Sequence, residues 1–257
     1  MSARVAFIAG GSSGIGLATA VQLATQGLQV TIAGRDEVRL AEARAHLAER
    51  GHEVATVTLD ITDDASCAAA IDGVVGRHGA LDVLVNSVGS APSGTFDEVA
   101  PAQWAAALDG KVLGAVRLMS RVLPAMRARR HGRIVNVAGT AGVEPDPWMP
   151  VAGAANAALL AITKAASLQL APDGITVNAV LPGPTRTGRW EGLVRAHAER
   201  EALSNADARA ELERRIPTGR PAEPADIAAY IGFLASEAAR HITGTGLAVD
   251  GGQMRSM

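Results

Sequence analysis

The chain has 257 residues, of which 48% are hydrophobic, and a formal net charge of −2. This length predicts one large α/β domain or two small ones, and the near-neutral charge argues against nucleic acid or an anionic membrane surface as the main partner. A single cysteine, Cys67, excludes an intrachain disulfide and favours the reducing cytoplasm.

Strand-like and helix-like segments alternate along the whole chain. The predicted strands cover 5–9, 29–33, 54–59, 81–86, 133–138, 175–180 and 246–249, and the predicted helices cover 17–24, 37–50, 63–78, 101–130, 153–171 and 224–236. Strands this apolar on both faces belong in a parallel sheet covered by helices on both sides. The sequence therefore predicts an α/β fold, a Rossmann-like doubly wound parallel sheet, in one domain spanning 1–257.

Two segments interrupt this alternation and are expected to be substrate loops, one near 139–152 and one near 183–221. The first contains three prolines, and the second is charged and predicted to be irregular with short helical pieces. Both follow strand ends on the side where such sheets bind ligands. The candidate substrate contacts are Gly139, Glu144, Trp148, Ala152 and Trp190. The alternative is surface connections in which the acid is solvated and the tryptophans pack against their own domain.

Other expectations concern membrane insertion, secretion and surface charge. No apolar run is expected to be long enough to span a bilayer, and a signal-peptide pattern is absent. The one basic cluster, Arg127, Arg129, Arg130 and Arg133, is expected to complement a helix dipole on a solvated face.

A glycine-rich turn joins the first strand to the first helix. Its G-x-x-x-G-x-G spacing lets the backbone approach a pyrophosphate, and the free N–H groups of the first helical turn face the anion. The alternative is a tight strand-to-helix turn with no ligand. The candidate phosphate contacts are Gly10, Ser12, Ser13, Gly14, Ile15 and Gly16.

The end of the second strand indicates which dinucleotide is bound. NAD-binding folds usually place an acid there to hold the ribose 2′-OH, but this chain has Gly34 followed by Arg35. Arg35 could pair with a 2′-phosphate, which favours NADP(H). Asp36 comes slightly late and is expected to cap the next helix.

These motifs, together with others further along, resemble the short-chain dehydrogenase/reductase family over the whole chain. The resemblance implies a sheet of about seven strands and a homodimer or homotetramer. A small-molecule substrate is also expected, and no metal site is expected. The additional matching positions are Asp60 with Ile61 at the adenine, Asn86, Ser87 and Gly89 in the turn after the fourth strand, Pro182, Gly183 and Thr187 at the nicotinamide carboxamide, and the C-terminal Asp250-Gly251-Gly252.

The resemblance fails at the catalytic positions. The family uses Asn, Ser, Tyr and Lys, in which the tyrosine handles the proton on the substrate oxygen. By resemblance these positions are occupied here by Lys111, Gly139, Ala152 and Asn156. The only tyrosine, Tyr230, is predicted to lie in a late helix remote from the site.

Two of these changes are reciprocal, because Lys replaces Asn on one helix while Asn replaces Lys on another. We hypothesise that Lys111 handles the proton or stabilises the oxyanion, with Asn156 as a polar partner and Thr140 as a weak substitute for the serine. The alternative is that Lys111 only preserves a structural polar contact.

Three functions remain open at this stage. The first is an NADP(H)-dependent oxidoreductase with a rebuilt acid/base group. The second is a non-redox enzyme, such as a lyase, isomerase or cyclase, that reuses the pocket. The third is a non-catalytic protein that binds nucleotide and acts with a partner. Fold alone does not choose among them.

Overall fold

The computed structural model describes residues 3–89 and 91–256. Its seven strands form one parallel sheet in the order β3-β2-β1-β4-β5-β6-β7, which confirms the predicted fold class. The strands are β1 Val5–Ala9, β2 Gln29–Gly34, β3 Ala55–Thr58, β4 Val83–Asn86, β5 Gly132–Val137, β6 Ile175–Pro182 and β7 Gly246–Val249. The helices are α1 Gly14–Thr25, α2 Glu37–Ala48, α3 Asp64–His78, α4 Pro101–Leu108, α5 Gly114–Arg129, α6 Pro150–Leu170, α7 Gly188–Glu201, α8 Asn205–Arg214 and α9 Pro224–Leu234.

The two faces of the sheet bury separate hydrophobic clusters. Along β1, Ala6 and Ile8 belong to one cluster, while Val5, Phe7 and Ala9 belong to the other. The first cluster is covered by α1, α2 and α9, and the second by α3, α5 and α6. Because successive side chains on a strand point to opposite faces, a strand buried on both sides must be apolar throughout, as β1 is.

The structure differs from the predicted elements in two places. The long helix predicted over 101–130 is two helices joined by one turn of π-helix, Asp109–Leu113. The segment near 183–221, predicted to be irregular, contains α7 and α8, which have 14 and 10 residues. These helices bury little of their surface, so their polar composition resembles that of a loop.

Helix α6 corrects the expectation that no apolar run could span a bilayer. Residues 150–173 are long and apolar enough by length and composition. The helix nevertheless packs against the sheet, with Val151, Ala155 and Leu159 buried. We interpret it as a core helix whose alanine-rich composition raises its hydropathy.

One member of the basic cluster differs from its expected solvated position, whereas Arg127, Arg129 and Arg130 are exposed at the end of α5 as expected. Arg133 lies in β5 with only 3% of its surface exposed, and it donates to Glu237. Arg127 pairs with Asp173 across 2.8 Å. The cluster therefore ties α5 and β5 to neighbouring loops instead of serving only a helix dipole.

Candidate active site

The glycine turn after β1 is a close-packed cradle. A Cβ on Gly16 would lie 2.0 Å from the Gly10 carbonyl oxygen, and one on Gly10 would lie 2.5 Å from that of Ser87. Gly10 and Gly14 have φ of +81° and +53°, which favour glycine. No acceptor is found among the described residues for the N–H groups of Gly14 and Gly16 or for that of Ile15 between them. The free donors at the α1 N-terminus fit an anionic group.

The segment after β6 closes this cradle from the other side. A Cβ on Gly14 would lie 3.1 Å from Thr187 Cγ2. A Cβ on Gly183 would lie 2.6 Å from Asp250 Cβ, and the Gly183 N–H donates to the Val249 carbonyl. The turn that begins at Pro182 is therefore fixed by the C-terminal D-G-G segment, which leaves Thr187 directly over the glycine turn.

The end of β2 lies beside the glycine turn. Gly34 leaves room there, since a Cβ on it would be 3.5 Å from Ser12 Oγ. Arg35 is exposed, and Asp36 accepts a hydrogen bond from the Arg39 N–H, which confirms its role as the cap of α2. At the end of β3, the hydroxyl and backbone N–H of Thr62 lower the pKa of Asp60, with a smaller contribution from Arg35.

Beneath the site runs a buried polar chain that the sequence analysis missed. Asn86 Nδ2 donates to Asn136 Oδ1 at 2.8 Å, and Asn136 Nδ2 donates to Thr163 Oγ1 at 2.9 Å. Thr163 donates in turn to the Leu159 carbonyl of α6. The Asn86 side chain thus connects β4 through β5 to α6, and it is 4% exposed. A pair of Asn residues in the same register of β4 and β5 was the available signal.

Lys111 projects from the π-turn into the site. Its Nζ donates to the Ala138 carbonyl at 3.0 Å, just past the end of β5. Its stem passes over Gly89, where a Cβ would lie 2.8 Å from Lys111 Cβ. Gly89 has φ of +117°, which favours glycine, and the absence of a Cβ leaves room for the Lys111 side chain. Single π-turns within α-helices often occur at functional sites.

The side chain of Asn156 fills the space that a side chain on Gly139 would need. A Cβ on Gly139 would lie 2.8 Å from Asn156 Nδ2, and Gly139 has φ of +153°. Asn156 is 6% exposed, and its Oδ1 has no hydrogen-bond donor among the described residues. Ala152 and Thr140 are partly buried beside them, Ala152 in the first turn of α6 and Thr140 at the start of a 3₁₀ turn. The structure therefore brings the end of β5 and α6 together, with the Asn156 amide directly beside Gly139.

Burial lowers the pKa of Lys111 to about 8, and the positive charge of Arg189 contributes further in the same direction. Arg189, at the start of α7, donates to the Ala91 carbonyl at 2.6 Å and approaches Met149 Sδ at 3.8 Å. An amine with this pKa exists in both protonation states near neutral pH, which suits proton transfer.

The remaining candidates hold structure around the site. Glu144 accepts bonds from Ser256 Oγ and from two backbone N–H groups of the C-terminal segment. Trp148 is 37% exposed and stacks under Arg200, with 4.2 Å between guanidinium and ring centre. Trp190 is 3% exposed within a cluster of α7 and α8, so it offers little surface to a substrate.

Tyr230 lies far from these groups in the fold. It is on α9, which packs against α1, and it stacks on Phe233 with 6.1 Å between ring centres. This position agrees with the prediction that Tyr230 does not replace the missing tyrosine.

Comparison with known proteins places this geometry among nucleotide-dependent enzymes. The family described as enoyl-(acyl carrier protein) reductase matches residues 9–254. The putative ketoacyl reductase of the monensin polyketide synthase from Streptomyces virginiae is 36% identical, covering 98% of this chain and 97% of its own. Cis-4-hydroxycyclohexanecarboxylate dehydrogenase from Sinomonas cyclohexanicum is 38% identical, covering 97% and 96%. The crystal structure of a variant of the actinorhodin polyketide ketoreductase with NADPH has a TM-score of 0.96 at 33% identity, covering 99% and 98%.

Proposed function

The chain belongs to the short-chain dehydrogenase/reductase family, and on this premise we propose that it is an NADP(H)-dependent oxidoreductase of a small carbonyl or alcohol substrate. We assign to Lys111 the proton transfer that a tyrosine performs in the family. The similar ketoreductase structure was solved with NADPH, which supports the same nucleotide here. The glycine cradle, its free N–H groups and exposed Arg35 fit such a nucleotide.

The observation that carries the proposal is the Lys111 amine, whose pKa is lowered by burial to about 8, at the end of β5. When bound, the nucleotide supplies a hydride to the substrate carbonyl carbon. Lys111 holds the substrate oxygen and donates one proton to it, which stays on the alcohol product, and solvent supplies a new proton to the neutral amine. In the reverse direction the neutral amine accepts the alcohol proton. The Oδ1 atom of Asn156 has no hydrogen-bond donor among the described residues, so it is available to accept one from a bound substrate or water.

Binding and turnover test the proposal separately. Fluorescence titration should show NADPH binding more tightly than NADH, and absorbance at the nicotinamide band should fall when a panel of ketones and quinones is added. Tight NADPH binding with no oxidation by any substrate would contradict the redox proposal and favour the non-redox or the non-catalytic alternative. Absence of nucleotide binding would contradict the assignment of the glycine cradle.

A matched pair of glycine variants makes the binding test specific. Gly14→Ala introduces a Cβ at φ +53° and 3.1 Å from Thr187 Cγ2, whereas Gly188→Ala meets nothing within 4 Å. We expect the first to weaken NADPH binding and the second to leave it unchanged. A homodimer or homotetramer in the cytoplasm is part of the same proposal, and sedimentation of the purified protein tests the assembly.

A further inference from the structure

Two cations at the mouth of the site have unused hydrogen-bond donors. Lys111 has three N–H donors and uses one, on the Ala138 carbonyl. Arg189 has five and uses one on an oxygen, the Ala91 carbonyl. Neither forms an ion pair with a carboxylate among residues 3–89 and 91–256.

Both cations lie against the same stretch of chain. The stem of Lys111 packs on Gly89, and the guanidinium of Arg189 binds Ala91 two residues later. Arg189 also reaches Met149, which immediately precedes α6. The two positive charges therefore face one space between the loop after β4 and the start of α6, where the reacting oxygen is proposed to sit.

Acids on the segments beside this space bond to other groups, as Glu98 does by accepting from the Thr95 N–H. Glu144 holds the backbone of the C-terminal segment, and Asp146 accepts from the Trp148 N–H at 2.7 Å. Asp109, on the π-turn itself, pairs with Arg117 at 2.8 Å. Within the part of the chain that the structure describes, neither Lys111 nor Arg189 therefore has a carboxylate partner in this space.

We propose that this space is a carboxylate subsite, so that the substrate is an oxo acid or hydroxy acid. Arg189 binds the carboxylate through its planar fork of N–H donors, while Lys111 faces the reacting oxygen. The nucleotide phosphates are assigned to the glycine cradle under Thr187, whereas Arg189 turns away to Ala91 and Met149. The inference rests on the proposed function for the reacting oxygen, but the charge preference does not require hydride transfer.

The experiment measures binding, so it does not depend on turnover. Affinities are determined by calorimetry, with and without NADP⁺, for three acid and neutral pairs. The pairs are 4-oxocyclohexanecarboxylate and its methyl ester, acetoacetate and ethyl acetoacetate, and benzoate and benzamide. Inorganic phosphate is the competing anion. The variants are Arg189→Met and, as a control with the same charge change on the same helix, Arg195→Met, whose exposed side chain has no ion pair among the described residues.

We expect at least one acid to bind tenfold or more tightly than its neutral partner, with the preference lost in Arg189→Met and kept in Arg195→Met. Equal binding within every pair, or no binding of any acid, would overturn the inference. Equal losses in both variants would also overturn it, because they indicate a general charge effect. Phosphate that binds as tightly as the best acid, with the same dependence on Arg189, would contradict a carboxylate subsite.

If NADPH binds and is oxidised by neutral ketones while no acid is preferred, the subsite fails and the proposed function stands. If an acid binds through Arg189 but NADPH is never oxidised, the subsite stands and the redox proposal fails. The two failures are therefore distinguishable.

Discussion

Replacing Lys111 by methionine should change how stability depends on pH. Methionine keeps an unbranched apolar stem over Gly89 but removes the titrating amine. The pKa of Lys111 is lowered by burial from 10.5 to about 8, with Arg189 as the only charged group that contributes. Between these two values the unfolded chain binds more protons at this position than the folded chain does, so folding stability rises with pH there.

The size of this pH-dependent difference in unfolding free energy follows from the shift in the Lys111 pKa. Below pH 8 the lysine is protonated in both states, and the difference in unfolding free energy between wild type and Lys111→Met is constant. Above pH 8 the wild type gains about 1.4 kcal/mol per pH unit relative to the variant, which amounts to about 2 kcal/mol by pH 9.5.

Urea unfolding of both proteins at several pH values from 7 to 9.5 measures this difference, because every other titrating group is shared and cancels. Parallel curves for the two proteins across this range would refute the desolvated position of the Lys111 amine. The same result would remove the basis for proton transfer by this residue near neutral pH.

Three further outcomes are expected. Gly139→Ser should lower the unfolding free energy by about 1–3 kcal/mol, because φ is +153° and the new Cβ meets Asn156; a loss no larger than that of Gly73→Ser, whose Cβ has open space, would contradict this. Arg35→Ala should weaken NADPH binding about tenfold or more without changing NADH binding, whereas equal effects from Arg39→Ala would speak against a 2′-phosphate contact. Asn86→Ala leaves a buried carbonyl without its donor and should cost about 1–3 kcal/mol in urea unfolding, so a loss under about 0.5 kcal/mol would exclude the buried amide chain as a stabilising element.

The fold was accessible from the sequence because its signals are local. A strand buried on both faces, such as β1, is continuously apolar, and a glycine spacing followed by a helix marks the turn after it. Alternating strands and helices then predict a parallel sheet, whereas the order of its seven strands comes from the structure. The cap at Asp36 was predicted for the same reason, since it depends on neighbouring residues only.

The site was less accessible because its geometry depends on contacts between distant segments. The π-turn that carries Lys111 has no local sequence signal, and its lysine is positioned by the Ala138 carbonyl 27 residues away. The burial of Trp190 depends on α8 folding over α7. The partnership of Gly139 with Asn156 likewise needs α6 in place. The roles assigned to these residues stay predictions.

The structure bears on a variant in which the family's catalytic residues are restored. Gly139→Ser, Ala152→Tyr and Asn156→Lys together would recreate the family's residues by resemblance. The backbone at Gly139 disfavours a side chain, and Asn156 fills the adjoining space. The combined variant therefore tests the pocket only if it is first shown to fold as well as the wild type.

We propose that Lys111 transfers the proton in a nucleotide-dependent reduction. The most direct measurement is kcat for NADPH oxidation, across pH 6 to 9.5, with whichever carbonyl substrate the panel identifies, in wild type and Lys111→Met. We expect wild-type kcat to fall above about pH 8, and the variant to lose about 10²-fold or more in kcat with its NADPH affinity little changed. A variant that turns over at the wild-type rate with the same pH profile would contradict it.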